Sequence, residues 1–239
     1  MRNKSFYGGQ DPRAMPAYSI LEAAHYLRLP PSTLRDWVKG RSYPTGMGRR
    51  FSAPLMPLPP RSLGDPLALS FFNLVEAHVL GALRREHRVS MLKVREALTF
   101  LERHFPSPHP LVDQQFETNG IDLFVETYGQ LINVNQDGQL AMRDLLRMHL
   151  SRLERDAAGV PVKLYLFTRP PSANAPKVIA IDPYVAFGRP VVMGTGIATA
   201  IITERYKAGE SIEDLVHDYD LPSQAIQEAI RCELTLQAA

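Results

Sequence analysis

The chain lacks the residues that would mark an enzyme, a disulfide-built scaffold or a membrane protein. Cys232 is the only cysteine in 239 residues. That excludes an intramolecular disulfide and a multi-cysteine zinc site, and it suits a reducing cytoplasm. Long apolar runs are missing too. The longest uncharged stretch, Pro190 to Thr203, is too short and too glycine-rich to span a bilayer, so no membrane partner is expected. Arg2 and Lys4 are followed by Gly, Gln, Asp and Pro rather than an apolar core, so no signal peptide is expected and the location is read as cytoplasmic. The patterns HExxH and GxSxG and a Walker-type loop do not occur. Gly194-Thr-Gly196 lacks the third glycine and the strand of a phosphate loop, which leaves a tight turn. The histidines are scattered. His104 and His109, near Asp113, read as loop histidines rather than metal ligands. No catalytic residue, cofactor or metal is expected.

Net charge is only +2, so the whole chain is not a basic coat for nucleic acid. The charge is uneven, however. Residues 1–50 hold Arg2, Lys4, Arg13, Arg28, Arg35, Lys39, Arg41, Arg49 and Arg50 against Asp11, Glu22 and Asp36. A local basic face is what phosphate binding requires.

Four regions follow from the pattern. Residues 1–17 are polar and rich in Gly and Pro, as a mobile arm would be. Residues 18–105 are helical with one irregular insert. Ser19-Ile-Leu-Glu22 fits a capping box for a first helix whose inner face is Ala23, Ala24 and Leu27. Leu29-Pro30-Pro31 ends that helix, and Ser32 is read as the N-cap of a second. Leu34, Trp37 and Val38 then point inward, and Thr33, Arg35, Asp36 and Lys39 outward, where a recognition helix reads bases. The insert from Arg41 to Pro66 is either a linker or a β-hairpin wing with Arg49 and Arg50 at its tip. Helices over Leu69–Glu86 and Ser90–Phe105 come next. In the second, Met91, Val94, Leu98, Leu101 and Phe105 form a narrow seam, suited either to core packing or to dimerisation.

Residues 106–182 are expected as a small α+β sheet module with no assignable chemistry. Phe116, Ile121, Leu123, Val125, Leu131, Ile132 and Val134 stand in short alternating runs with turn signals at Asn119-Gly120 and Asp137-Gly138. An amphipathic helix over Gln139–Arg155 and strands at Val162–Phe167 and Val178–Ile181 complete it. Residues 183–239 are expected as a helical bundle with helices near Thr199–Ala208, Ile212–Asp218 and Ser223–Leu236, the second opened by the capping box Ser211-Ile-Glu-Asp214. The fold class is thus α+β, mainly helical: a winged helix-turn-helix, a sheet module and a terminal helical bundle.

Two stretches carry a family resemblance. Ser32-Thr-Leu-Arg-Asp-Trp37, with Phe72-Asn-Leu-Val-Glu-Ala-His-Val-Leu80 after the insert, resembles the winged helix-turn-helix of MerR-type regulators. Phe187-Gly-Arg-Pro-Val-Val-Met-Gly-Thr195, Ala208-Gly-Glu-Ser-Ile-Glu-Asp-Leu215 and Asp218-Tyr-Asp-Leu221 together resemble the C-terminal domain of VapB-type antitoxins. Gly196 and Ala198 depart from that pattern, where arginine and proline are frequent. The resemblance implies an antitoxin that represses its own operon and neutralises a PIN-like ribonuclease toxin encoded nearby. It implies operator double-stranded DNA as one partner, read by Ser32, Thr33, Arg35, Asp36, Lys39, Arg41, Arg49 and Arg50. It implies a toxin as the other, met by Arg189, Arg205 or Arg231, and a homodimer. Such nucleases hold Mg²⁺ or Mn²⁺ with clustered carboxylates, to which an arginine can be offered. The alternative is a stand-alone MerR-like regulator whose middle module senses a small molecule. A toxin-sized neighbouring reading frame separates the two.

Overall fold

The computed structural model describes residues 9–46, 48–87, 91–104, 106–132 and 136–234. The first element, β1 (Tyr18–Ser19), pairs antiparallel with β4 (Ala68–Leu69), and between them run the helix-turn-helix and its hairpin. Helix α1 (Ile20–Leu27) opens on the expected capping box. Ser19 accepts from the Glu22 amide and the Glu22 carboxylate accepts from the Ser19 amide. Helix α2 (Pro31–Lys39) starts two residues earlier than a cap at Ser32 would place it. Its N-cap is Pro30, and Pro31 takes the first helical position, where a missing N–H costs nothing. Ser32 therefore lies inside the helix and is not its cap.

The insert is a wing. Strands β2 (Arg41–Thr45) and β3 (Gly48–Ser52) pair antiparallel, with Ser42 opposite Phe51 and Tyr43 opposite Arg50. A leg from Ala53 onward returns to the core. It is pinned where the Leu55 amide donates to the Trp37 carbonyl at 2.7 Å.

Helix α3 (Phe71–His87) is buried nearly all round, as a central helix must be. Leu74, Val75, Val79 and Leu83 are sealed in the core. Its buried polar groups are satisfied. Asn73 donates to the Pro57 carbonyl at 2.7 Å, and Glu76 lies 3.1 Å from His109 Nδ1. Burial still holds the Glu76 carboxyl above the usual range, against the pull of His109. Helix α4 (Met91–His104) lays Val94, Leu98 and Leu101 on the next helix of the same chain. The seam is core, not a free dimer face. Phe105 and the Met91 side chain lie outside the described residues.

The largest departure from the sequence reading comes at 116–132. Instead of strands there is a π-helical turn at Phe116–Gly120 running into α5 (Ile121–Ile132). Ile121, Phe124, Val125 and Tyr128 are all buried, and their spacing is that of a helical stripe. Asn119-Gly120 is not a hairpin turn. A Cβ on Gly120 would sit 2.9 Å from the Phe116 ring and 3.3 Å from Leu101, so glycine is there to let α4 and α5 close. Val134 lies outside the described residues. Asp137-Gly138 falls in the first turn of α6 (Gln136–Leu150), which packs on α3.

The sheet follows in order β5 (Leu153–Arg155), β6 (Pro161–Tyr165), β7 (Ile179–Ile181), β8 (Val191–Val192), all antiparallel. Behind its start lies Arg152, 2% exposed and caged by carbonyls of Tyr165, Leu166, Ala175 and Pro176. With no carboxylate in the cage, burial lowers this guanidinium to about 10. Helices α7 (Thr199–Lys207), α8 (Ile212–Tyr219) and α9 (Ser223–Leu234) close the fold near their expected bounds, and the Ser211/Asp214 capping box is present.

The expected boundaries at 105/106 and 182/183 fall inside packed structure. Helices α4 and α5 pack across the first, and β7 pairs with β8 across the second. One apolar cluster runs from Leu34 and Trp37 through Leu74 to Leu164, Ile202 and Ile226. The arm is also tied down over its described part. Arg13 pairs with Asp11 at 2.7 Å and Asp156 at 3.0 Å, and the Phe72 amide donates to the Arg13 carbonyl. The expected mobile arm is therefore corrected for residues 11–17. Residues 1–8 lie outside the described set.

Candidate nucleic-acid interface

Helix α2 buries Thr33, Leu34, Trp37 and Val38 and leaves Ser32, Arg35 and Lys39 exposed. The last three are spaced three and four apart, so they share one face. Thr33, expected outward, is 6% exposed. Asp36 is half-buried and carries an ion pair with Arg41 at 3.4 Å, which offsets one of the expected DNA-facing cations. Arg49 and Arg50 are exposed on β3. Arg49 Nε donates to Ser42 Oγ at 3.2 Å across the hairpin.

The turn between α1 and α2 carries a feature that the sequence did not reveal. Arg28 adopts φ 54°, ψ 42°, a left-handed cap usually given to glycine. The Leu29 amide bonds back to Ala24 and the Arg28 amide to His25, which closes the helix end. A non-glycine in this region costs about 1–3 kcal/mol. The Arg28 guanidinium is committed to the Thr168 carbonyl, far away in sequence. Thr168 in turn donates its hydroxyl to Glu228 of α9. Glu228 is fully buried and also accepts from Arg169 at 2.8 Å and Arg231 at 2.6 Å. Burial alone would raise its carboxyl; Arg169, Thr168 and Arg231 together hold it below the usual range. The helix-turn-helix is thus tied to α9 through Thr168.

Of the expected toxin-facing arginines, two are committed elsewhere. Arg231 serves Glu228. Arg205 pairs with Glu210 and Asp218 and lies 5.1 Å from the Tyr219 ring centre, stapling α7 to α8. Arg189 differs. It is exposed and has no ion-pair partner among the described residues. It follows three successive positive-φ residues, Ala186 at 47°, Phe187 at 54° and Gly188 at 76°. This left-handed turn leaves the Phe187 ring 73% exposed beside Arg189. Gly188 is held from below by Tyr18, whose hydroxyl donates to its carbonyl at 3.1 Å. A Cβ there would lie 2.4 Å from that hydroxyl. Strain of this kind, over-determined by its surroundings, marks a loop kept in a set shape.

Among the described residues no three His, Cys, Asp or Glu side chains converge to hold a metal. His104 bonds the Phe100 carbonyl and His109 bonds Glu76. Cys232 is buried, and burial pushes its thiol up to about 12. Among the described residues no helix is long and apolar enough to cross a membrane.

Residues 16–98 match a family described as "Putative DNA-binding HTH domain", and residues 179–231 match "Protein of unknown function (DUF433)". The second match begins at β7, on the sheet itself. The chain is 26% identical over 230 residues to "Putative antitoxin VapB45" of Mycobacterium tuberculosis, covering 90% of this chain and 93% of that one. It is 25% identical over 222 residues to "Uncharacterized protein Rv2308" of the same organism, covering 89% and 88%. The crystal structure of Rv2018 from Mycobacterium tuberculosis shares the fold, with a TM-score of 0.68 at 22% identity over 90% of this chain and 98% of that one.

Proposed function

We propose that this protein is an antitoxin that binds its own operator through a MerR-like helix-turn-helix and wing and neutralises a PIN-like ribonuclease toxin by direct binding. The observation that carries the DNA half is the face of α2 formed by Ser32, Arg35 and Lys39, next to a hairpin bearing Arg41, Arg49 and Arg50. A recognition helix works by this division, with base contacts from its exposed face and phosphate contacts from flanking cations. Two-fold operators favour a homodimer. The core position of the α4 seam moves the expected dimer surface elsewhere, with the C-terminal helices next in line.

The antitoxin half rests on similarity to the VapB45 protein along nine-tenths of the chain, and on Arg189 standing exposed beside Phe187, with no ion pair among the described residues. Arginine offers a planar fork to clustered carboxylates, and an exposed aromatic supplies apolar contact area. The test uses the complete chain. It should retain the product of a toxin-sized neighbouring reading frame through co-purification, and bind its promoter duplex with affinity that falls steeply with salt. Arg35→Ala and Lys39→Ala should weaken the second property and leave the first intact. Promoter affinity unchanged in both variants sinks the DNA assignment. Failure to retain any neighbouring product sinks the antitoxin assignment.

A further inference from the structure

A cleft of about 380 Å³ opens between the recognition helix and the wing. Its walls include Trp37 of α2, Arg41 and Tyr43 of β2, Arg84 of α3 and Arg95 of α4. Asp36 is its one carboxylate and is paired with Arg41 at 3.4 Å. That leaves Arg84 and Arg95 with no acidic partner among the described residues. Arg95 is the more telling. Its Nη1 donates to the Pro54 carbonyl at 2.8 Å, and its Nη2 to Ser52 Oγ at 3.2 Å and to the Ala53 carbonyl. All these acceptors are neutral. Its Nε is buried and has no acceptor among the described residues. Burial accordingly pulls the guanidinium down from its ordinary value. A desolvated cation with a spare donor is complemented by an anion. Tyr43 and the exposed Leu92, beside a nearly buried Trp37, suit a flat apolar body, and the volume is that of a small-ligand site.

We propose that this cleft binds a small organic anion, a carboxylate or phosphate ester carried on a flat ring, and that the anion regulates DNA binding. The charged end meets Arg84 and Arg95, and the ring lies along Trp37 and Tyr43. Such a ligand touches all the parts that set the wing against the recognition helix. Arg95 already holds the backbone of residues 52–54, and the Leu55 amide holds the Trp37 carbonyl. A ligand that bridges them favours one wing position over others, and so shifts affinity by its differential binding to the two. The binding step stands without the DNA reading; the regulatory step rests on it.

Trp37 is the only tryptophan in the chain, so emission excited selectively at tryptophan, which leaves out the tyrosines, reports on the surroundings of this one cleft-lining residue. The complete protein is titrated with benzoate, phenyl phosphate, inorganic phosphate and neutral benzyl alcohol. At least one aromatic anion should change Trp37 emission saturably, more tightly than inorganic phosphate, with no saturable change from benzyl alcohol. Arg84→Ala removes an exposed side chain and leaves the fold intact; it should weaken the anion about tenfold or more. Arg95→Lys, checked for folding by circular dichroism, should do the same, and Lys207→Ala, an exposed cation of α7 outside the cleft, should leave anion binding unchanged. No saturable response to either aromatic anion, an equal response to benzyl alcohol, or full affinity in Arg84→Ala overturns the proposal. In the second arm the promoter duplex is titrated with and without the saturating anion. Simple displacement of the anion by any duplex, whatever its sequence, would assign the cleft to backbone phosphate and overturn regulation by a small ligand. A good Trp37 titration with no promoter binding at all would instead sink the DNA reading.

Discussion

Alanine substitution at Arg49 and Arg50, singly and together, tests whether the wing tracks phosphate and which of its faces does so. Side chains alternate along a strand, so these neighbours point to opposite faces of the hairpin. Arg50 stands opposite Tyr43, on the face that carries Arg41, and both of those residues line the cleft beside α2. Arg49 stands opposite Pro44, on the reverse face with Ser42 and Phe51, and Ser42 Oγ already holds it. The two cannot follow the same phosphates. Each neutralised phosphate contributes about 0.9 to the slope of log affinity against log salt. Arg50→Ala should therefore lower the slope by about 0.9 per wing, and Arg49→Ala should leave it nearly unchanged. Over a salt rise from about 50 to about 200 mM, the Arg50→Ala protein loses about 3.5-fold less affinity per wing than the parent. The double variant should match Arg50→Ala. Fluorescence anisotropy of a labelled promoter duplex across that salt range reads all four proteins. Equal slopes lost in the two single variants, adding in the double, would refute the argument from the pleat. No change in any variant would remove the wing from the DNA altogether.

How much of this was legible in the sequence depends on whether the signal was local. The capping boxes at Ser19 and Ser211 are four-residue patterns, and both formed. The hairpin and the three C-terminal helices also follow from short-range punctuation. The error at Ser32 was local too, because proline is a better first helical residue than serine is a compulsory cap. Helix α5 was misread because Ile121, Val125 and Ile132 are β-branched and sit between Asn-Gly and Asp-Gly pairs. Those are strand and turn signals that tertiary packing overrode. The α4 seam was visible as a seam, but an apolar stripe does not name its partner. Here α5 covers it, which removed the best sequence argument for a dimer face. Contacts such as Arg28 to Thr168, Tyr18 to Gly188 and Arg205 to Asp218 join residues remote in sequence or paired only by folding. No spacing rule finds them. They also decide which arginines are free, so the toxin-facing set could be narrowed only in three dimensions.

Leu98→Asp places a carboxylate between α4 and α5 at a site 6% exposed. It should cost at least the roughly 2–5 kcal/mol of truncating a buried leucine, and abolish the cooperative melt rather than yield a folded monomer. A well-folded monomer by light scattering would return the seam to the dimer interface. Acid should loosen the link between the reading helices and α9. Because Glu228 is held below the ordinary carboxylate value of about 4.3, its stabilisation is complete above that pH and is lost as pH falls through the lowered value. Glu76, raised by burial, has the opposite sign: its contribution is present at low pH and lost as pH rises through its own raised value. Urea unfolding from acid to neutral pH should show the acid loss in the parent and a shallower one in Glu228→Gln; identical profiles would remove Glu228 from the account. Arg205→Ala should lower thermal stability by unfastening α7 from α8, with toxin retention unchanged in the folded protein. Arg189 should behave in the opposite way. It is exposed and makes no ion pair among the described residues, so Arg189→Ala should melt with the parent. The left-handed turn at residues 186–188, fixed from beneath by Tyr18, holds Arg189 and the Phe187 ring outward together. If the arginine enters the carboxylate cluster of the nuclease, its truncation costs roughly 2–5 kcal/mol of complex stability, and ribonuclease activity reappears at antitoxin ratios that silence the parent. Arg189→Lys keeps the charge but not the fork, and should restore inhibition only in part. An Arg189→Ala protein that melts normally and inhibits as well as the parent would eliminate insertion of this cation. Phe187→Ala then becomes the deciding variant: lost inhibition would leave the same loop acting by blocking the RNA path, and retained inhibition would move the toxin surface off this loop.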